Sequence, residues 1–225
     1  MLKKLLLMLL VLLPVLNKAE TGQMFSPVEE SNIYSVLNLS LYGLSSEAYQ
    51  LALKGFDKLK MEGKLLNTSI LTIIDFSQSS NKKRLYVIDL VKKVLLYNTY
   101  VAHGRNTGEE YAVKFSNESG TFKSSLGFYI TKNMAVGSKV GLSLILQGIE
   151  KGFNDKALQR EIIIHGADYA TEKFIQKNGR LGRSLGCPSL PPDQIKPVAE
   201  TIKEGSCLFI YHHDDEYIRK SVVLN

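Results

Sequence analysis

"SILTIIDFSQSSNKKRLYVIDLVKKVLLYNTYVAHG", residues 69–104, decides the fold class. Three runs rich in branched and aromatic residues, "SILTIIDF", "RLYVIDL" and "VLLYNTYVAHG", are separated by "SQSSNKK" and "VKK". Runs this short suit strands, and the polar clusters between them suit turns. The same pattern predicts strands in "VGLSLIL" near residue 140, "EIIIHG" at 161–166 and "GSCLFIYHH" at 205–213. Two helices are expected. One opens at Ser45 or Ser46, where a serine can cap it, and repeats Ala48, Leu51, Ala52, Phe56 and Leu59 at helical spacing. The other fits "PPDQIKPVAETIKEG", with Pro191 and Pro192 at its start, Ile195, Val198, Ala199 and Ile202 on its apolar face, and Gly205 at its end. Short strands with few helices predict a mainly β domain, a sandwich or barrel with peripheral helices. No glycine fingerprint joins a strand to a helix, which argues against a dinucleotide fold.

The chain has 225 residues, enough for one sizeable domain. Lys3 and Lys4 precede an apolar run from Leu5 to Leu16. A membrane-spanning helix needs ~20 apolar residues, so the run reads as a secretory leader over residues 1–19, or an uncleaved anchor. Residues 20–68 form an extension with a helix, and 69–225 the main domain. Half of the net charge of +6 belongs to the leader, on Lys3, Lys4 and Lys18. No basic stripe with interleaved aromatics stands out, so nucleic acid is not an expected partner, and no span is expected after the leader.

"GRSLGCPSL", residues 182–190, places Cys187 in a glycine-rich turn. Cys207 lies instead inside the apolar run "GSCLFIY". Two cysteines in an exported chain invite a disulfide, but these settings do not look like the ends of one staple. The alternative is a reactive thiol at Cys187, which needs a base to form the thiolate. His103 and His165 each end an apolar run and precede a glycine, in "YVAHG" and "IIIHG". Adjacent His212 and His213 would face opposite sides of a strand. Gly186 would let backbone N–H groups approach a substrate oxygen, the simplest oxyanion hole for acyl transfer. Arg183 could lower the thiol pKa or hold a carboxylate. No paired Cys and His spacing suggests zinc, and no cofactor is expected.

"IIIHGADY" followed by "GRLGRSLGCPSL" resembles the catalytic region of the murein L,D-transpeptidase catalytic domain family, part of the YkuD-like L,D-transpeptidase superfamily. "HGRNTG" (103–108), "FSN" (115–117), "SSLGFYIT" (124–131) and "GFND" (152–155) extend the resemblance over roughly residues 30 to 220. It implies a β-sandwich-like fold, with Cys187 as nucleophile, His165 as base and the Gly166 carbonyl orienting the imidazole. Arg183, Ser184, Arg105, Asn117, Ser125, Tyr129 and Tyr169 become candidate substrate contacts. Two departures stand out. Leu185 occupies the place of a usual second histidine, with His103 a candidate for part of that role, and the spacer from His165 to Cys187 is slightly long.

The implied reaction is attack of Cys187 on a peptidoglycan stem tetrapeptide, expelling the terminal D-alanine. The thioester then passes to a neighbouring stem amine, or to water in a carboxypeptidase variant. The expected location is the periplasm or cell envelope. One rival is a papain-like endopeptidase, against which the histidine-before-cysteine order counts. Another is a non-catalytic wall-binding module, which would need neither Cys187 nor His165.

Overall fold

Residues 33–225 are described by a computed structural model. The expected leader and the extension up to residue 32 lie outside the described residues. The strands are β1 Ile70–Asp75, β2 Leu85–Asp89, β3 Val94–Thr99, β4 Gly127–Gly137, β5 Gly141–Gly148, β6 Ile163–Gly166, β7 Ser189–Leu190 and β8 Cys207–Tyr211. Among the described residues the longer helices are α1 Ser46–Met61, α2 Glu172–Asn178, α3 Pro192–Ile202 and α4 Asp215–Lys220. The eight strands among the described residues form one sheet in the order β3-β2-β1-β8-β4-β5-β6-β7. Past β3 the chain crosses to the far end of that sheet, where Ala102 bridges to Ser189 and Gly104 to Ser184. The architecture is mainly β, as expected, and the two ends of one curled sheet face each other.

Burial explains the strand signals. β1, β2 and β8 are buried at every position, so each reads as a continuous apolar run instead of an alternating one. α1 covers β1 and β8. Its Ser45 cap accepts the Ala48 N–H at 3.1 Å, and its buried face includes Ala48, Ala52, Phe56 and Leu59, with Leu51 half-buried. Gly55 lets the helix sit directly on Phe128, where an added Cβ would come within 2.0 Å of the ring. Phe128 in turn stacks on Phe209 with centroids 4.2 Å apart. Ile33, Leu39 and Leu44 join the same core as the strands, so residues 33–68 pack as part of the main domain.

α3 buries the four expected residues, Ile195, Val198, Ala199 and Ile202, and starts at Pro192. It ends at Ile202 instead of reaching Gly205. Gly205, at φ +94°, turns the chain into β8, and a Cβ there would strike Leu66 at 2.6 Å. Two strands were not expected. β4 starts as a buried segment and then projects from the core as a hairpin with β5, with a bulge between Thr131 and Met134 that erases alternation. β7 has two residues and offers no pattern at all. His212 and His213 follow the end of β8 instead of lying within it.

Candidate active site

β6 carries His165 to the sheet end, with Ser143 of β5 opposite it on one side and Ser189 of β7 on the other. His165 Nδ1 lies 3.0 Å from the Gly166 carbonyl oxygen. A carbonyl only accepts, so Nδ1 carries the hydrogen, and in the neutral imidazole Nε2 keeps its lone pair. Nε2 lies 3.0 Å from Ser189 Oγ, and Ser189 Oγ lies 3.0 Å from the Tyr169 hydroxyl. His165 and Cys187 line one cavity of about 1120 Å³.

Both cysteines are free, with Cys187 half-buried and Cys207 buried. Cys187 Sγ faces the Glu161 carbonyl at 3.8 Å, and no hydrogen bond joins it to His165 among the described residues. Burial pushes the Cys187 thiol up, while the Ile163 N–H and the Arg160 charge pull it down. Arg160 is held in place by the Ser116 and Lys123 carbonyls and by Ser125 Oγ, at 2.8, 2.7 and 2.5 Å. It lines the cavity as a fixed cation. The thiol at Cys207 is pushed up far more strongly by complete burial.

The turn before Cys187 is tied to itself. Gly186, at φ +129°, donates its N–H to Ser184 Oγ at 3.0 Å, and that hydroxyl donates to the Cys187 carbonyl at 2.5 Å. The Gly186 N–H therefore does not face a substrate oxygen. The Cys187 N–H has no protein acceptor among the described residues and is the donor left open in this turn. Below the turn, Ser124 Oγ accepts the Gly104 N–H and donates to the Gly186 carbonyl, while Ser184 pairs with the backbone of His103 and Arg105. Leu185 stands 61% exposed at the cavity wall.

The remaining candidates divide sharply. Gly166, Tyr169, Arg183 and Ser184 line the cavity with Cys187 and His165. Arg183 pairs with Glu109 at 2.5 Å, and the cation whose charge lowers the thiol pKa is Arg160. Arg105 lies over the Phe122 ring at 4.4 Å. Asn117 joins its segment to Asp155 at 2.8 Å, Ser125 donates to the Ser116 carbonyl, and fully buried Tyr129 donates to the Ser125 carbonyl. These three hold the fold around the cavity without lining it. Lys139, Arg160, Glu161 and Asp168 line the cavity and were not expected from the sequence. Ser189 was missed too, because a serine between proline and leucine carries no signal of its own. Among the described residues no group of three or more His, Cys, Asp or Glu could hold a metal ion.

His103 is 1% exposed and is not on the cavity wall. Its Nδ1 accepts from Arg84 at 2.9 Å, and its Nε2 donates to the Gly108 carbonyl at 3.2 Å. Arg84 is fully buried and also donates to the Val101 and Gln78 carbonyls. Burial, then the Arg84 charge, pushes the His103 pKa down to about 3. The unfolded chain binds this proton near the ordinary pKa of ~6.5. Unfolding therefore takes up a proton between those values, and stability falls as pH drops through that window, by roughly 1.4 kcal/mol per unit at the limit. Urea titrations from pH 7 to pH 4 should show a shallower loss for His103→Gln than for the parent. Equal slopes would place the acid sensitivity elsewhere.

The family model for the L,D-transpeptidase catalytic domain matches residues 41–211. Among solved structures the chain is similar to an L,D-transpeptidase from Mycobacterium smegmatis, at 11% identity over 64% of this chain and 59% of that chain, with a TM-score of 0.41. L,D-transpeptidase 3 from Mycobacterium tuberculosis is similar at 12% identity over 64% and 61%, with a TM-score of 0.40. A Bdellovibrio bacteriovorus structure is similar at 16% identity over 64% and 48%, with a TM-score of 0.42. The chain thus spans about half to three-fifths of the length of these structures. No curated protein matches the sequence. No helix among the described residues is long and apolar enough to cross a membrane.

Proposed function

We propose, from the premise that the chain belongs to the L,D-transpeptidase catalytic domain family, that it is an exported cysteine acyltransferase of peptidoglycan stem peptides, working at the cell envelope. The observation that carries this reading is one cavity lined by the Cys187 thiol and by His165, whose Nδ1 is fixed on the Gly166 carbonyl. A free thiol that shares a cavity with an imidazole, whose Nε2 in the neutral form can accept a proton, is the minimum needed for nucleophilic acyl transfer.

His165 Nε2 takes the Cys187 proton, and the thiolate attacks the carbonyl of the residue preceding the terminal D-alanine of a stem tetrapeptide. The carbonyl oxygen becomes negative. The Cys187 N–H is the donor positioned to meet it, and the Arg160 charge favours it from the cavity wall. Collapse breaks the peptide bond as His165 returns the proton to the leaving D-alanine nitrogen, leaving a thioester on Cys187. An amine from a second stem then gives its proton to His165 and attacks the thioester, which forms the cross-link and restores the thiol. Hairpin residues Lys139 and Val140 face this space from the β4–β5 side and form one wall of the cleft.

The test is incubation of the protein with disaccharide-tetrapeptide, with D-alanine and muropeptide masses followed together. Cross-linked dimers should appear in step with released D-alanine. Tripeptide without dimers would assign the chain to trimming by water. Binding without any D-alanine release would leave a wall-binding module and overturn the proposal.

A further inference from the structure

The two hydroxyls behind His165 are the least expected part of the site. Ser189 is fully buried, and its Oγ meets two partners, His165 Nε2 and the Tyr169 hydroxyl, each at 3.0 Å. Tyr169 lines the cavity beside Cys187. Its position is held by Gly182 of the nucleophile loop, where an added Cβ would fall 2.4 Å from Tyr169 Cβ, and by the Gly182 N–H donated to the Tyr169 carbonyl at 2.8 Å. The arrangement is therefore a chain of two hydroxyls leading from the base to the cavity.

In the resting state Nδ1–H donates to the Gly166 carbonyl, so Nε2 is an acceptor. The Ser189 hydroxyl then donates to Nε2, and Tyr169 donates to Ser189. A buried base that takes a proton changes from acceptor to donor, and a fixed donor opposite it would oppose that change. Hydroxyls can rotate, so this chain can reverse.

We infer that Ser189 and Tyr169 form a reversible hydroxyl chain that supports His165 in both protonation states and, on reversal, turns the Tyr169 hydroxyl toward the reacting group. This rests on the acyl-transfer reading of Cys187 and His165. The Tyr169 hydrogen first swings from Ser189 to the cavity and the Ser189 hydrogen to the Tyr169 oxygen, which frees the Nε2 lone pair to take the thiol proton. The new Nε2–H then donates to Ser189 Oγ. One proton has moved, from Cys187 to His165; the two hydroxyls have only rotated. Every polar atom of the chain keeps a partner, and a new donor meets negative charge at the moment it forms. Ser189 is thus a positioning residue, and Tyr169 a donor for the thiolate or oxyanion. Burial also keeps the Tyr169 pKa raised, so its hydroxyl retains the hydrogen it has to offer.

Other charges face the same space: Arg160 and Glu161 ahead of β6, Lys139 on the hairpin, Asp168 beside Tyr169, and Arg183 in the nucleophile loop. They stay in place in every variant below, so a difference between variants reports the hydroxyls. The test uses the full chain and two readouts, iodoacetamide alkylation of Cys187 across pH and D-alanine release from disaccharide-tetrapeptide. Ser189→Ala should move the alkylation profile to higher pH, with labelling at neutral pH ~10-fold slower, because the imidazolium loses its acceptor. Ser189→Thr should restore it. Tyr169→Phe should disturb alkylation less but slow D-alanine release ~10-fold or more, through loss of a donor to the oxyanion. A Ser189→Ala profile that superimposes on the parent overturns the inference, as does parental D-alanine release by Tyr169→Phe. If Ser189→Ala does not fold, the Tyr169→Phe comparison decides. An alkylation shift of the expected size with no D-alanine release from the parent would uphold the chain's support of His165 and reject the acyl-transfer reading.

Discussion

Cys187→Ala is expected to abolish D-alanine release, with a loss of ~10⁴-fold or more, since among the described residues the cavity wall holds no second thiol to form the acyl intermediate. Cys187→Ser should be nearly as inactive, because one imidazole cannot ionise a hydroxyl as it ionises a thiol. Cys207→Ala should retain the activity, since that side chain lies inside β8, fully buried and away from the cavity. Thiol labelling separates the two cysteines directly. The native protein should react at Cys187 alone, and denaturant should be required to expose Cys207. Mass spectrometry of the labelled peptides reads both results. Surviving activity in Cys187→Ala would end the cysteine mechanism.

His165→Ala should lower D-alanine release by ~10²- to 10⁴-fold, the usual contribution of a positioned general base. The environment of the thiol makes this dependence strong. Burial raises the Cys187 pKa, so little thiolate forms at neutral pH without a proton acceptor. Raising the pH should recover part of the lost rate, because the thiol then ionises unaided. His212→Ala and His213→Ala serve as controls. His212 packs on Phe115 with centroids 5.0 Å apart, and His213 lies 3.5 Å from Glu47, both outside the cavity wall. Comparable losses in all three variants would mean that the histidines act through stability.

How much of this was legible in the sequence depended on whether a signal was local. α1 and α3 repeat apolar residues on a buried face, and β1, β2 and β8 are apolar because both of their faces are covered. Their patterns stand in the chain itself. β4 hid because half of it leaves the core, and β7 because it exists only as the partner of β6. The same division runs through the site. Cys187 and His165 announce themselves by a glycine-rich turn and by a strand end before glycine. Arg160 does not, since its position is set by oxygens of residues 116, 123 and 125, which approach it only in the fold. His103 carried the same local signal as His165, yet its environment is governed by the buried Arg84 far from it in sequence. Sequence context alone cannot separate a histidine that meets a cavity from one that meets a guanidinium.

The parallel pairing of β1 with β8 has a consequence for how the molecule comes into being. These strands lie at the middle of the sheet, yet one opens the run of strands and the other closes it. Closing so long a loop costs chain entropy before any contact repays it, which slows folding. Until the last strand arrives, β2 and β3 on one side and β4 to β7 on the other have no seam between them. The cavity lies between β6, the hairpin and the nucleophile turn, while the chain bridging from β3 supports that turn from the other half. A nascent chain would thus hold its thiol away from a finished site until β8 has been made, so chemistry is timed by the strand that closes the sheet.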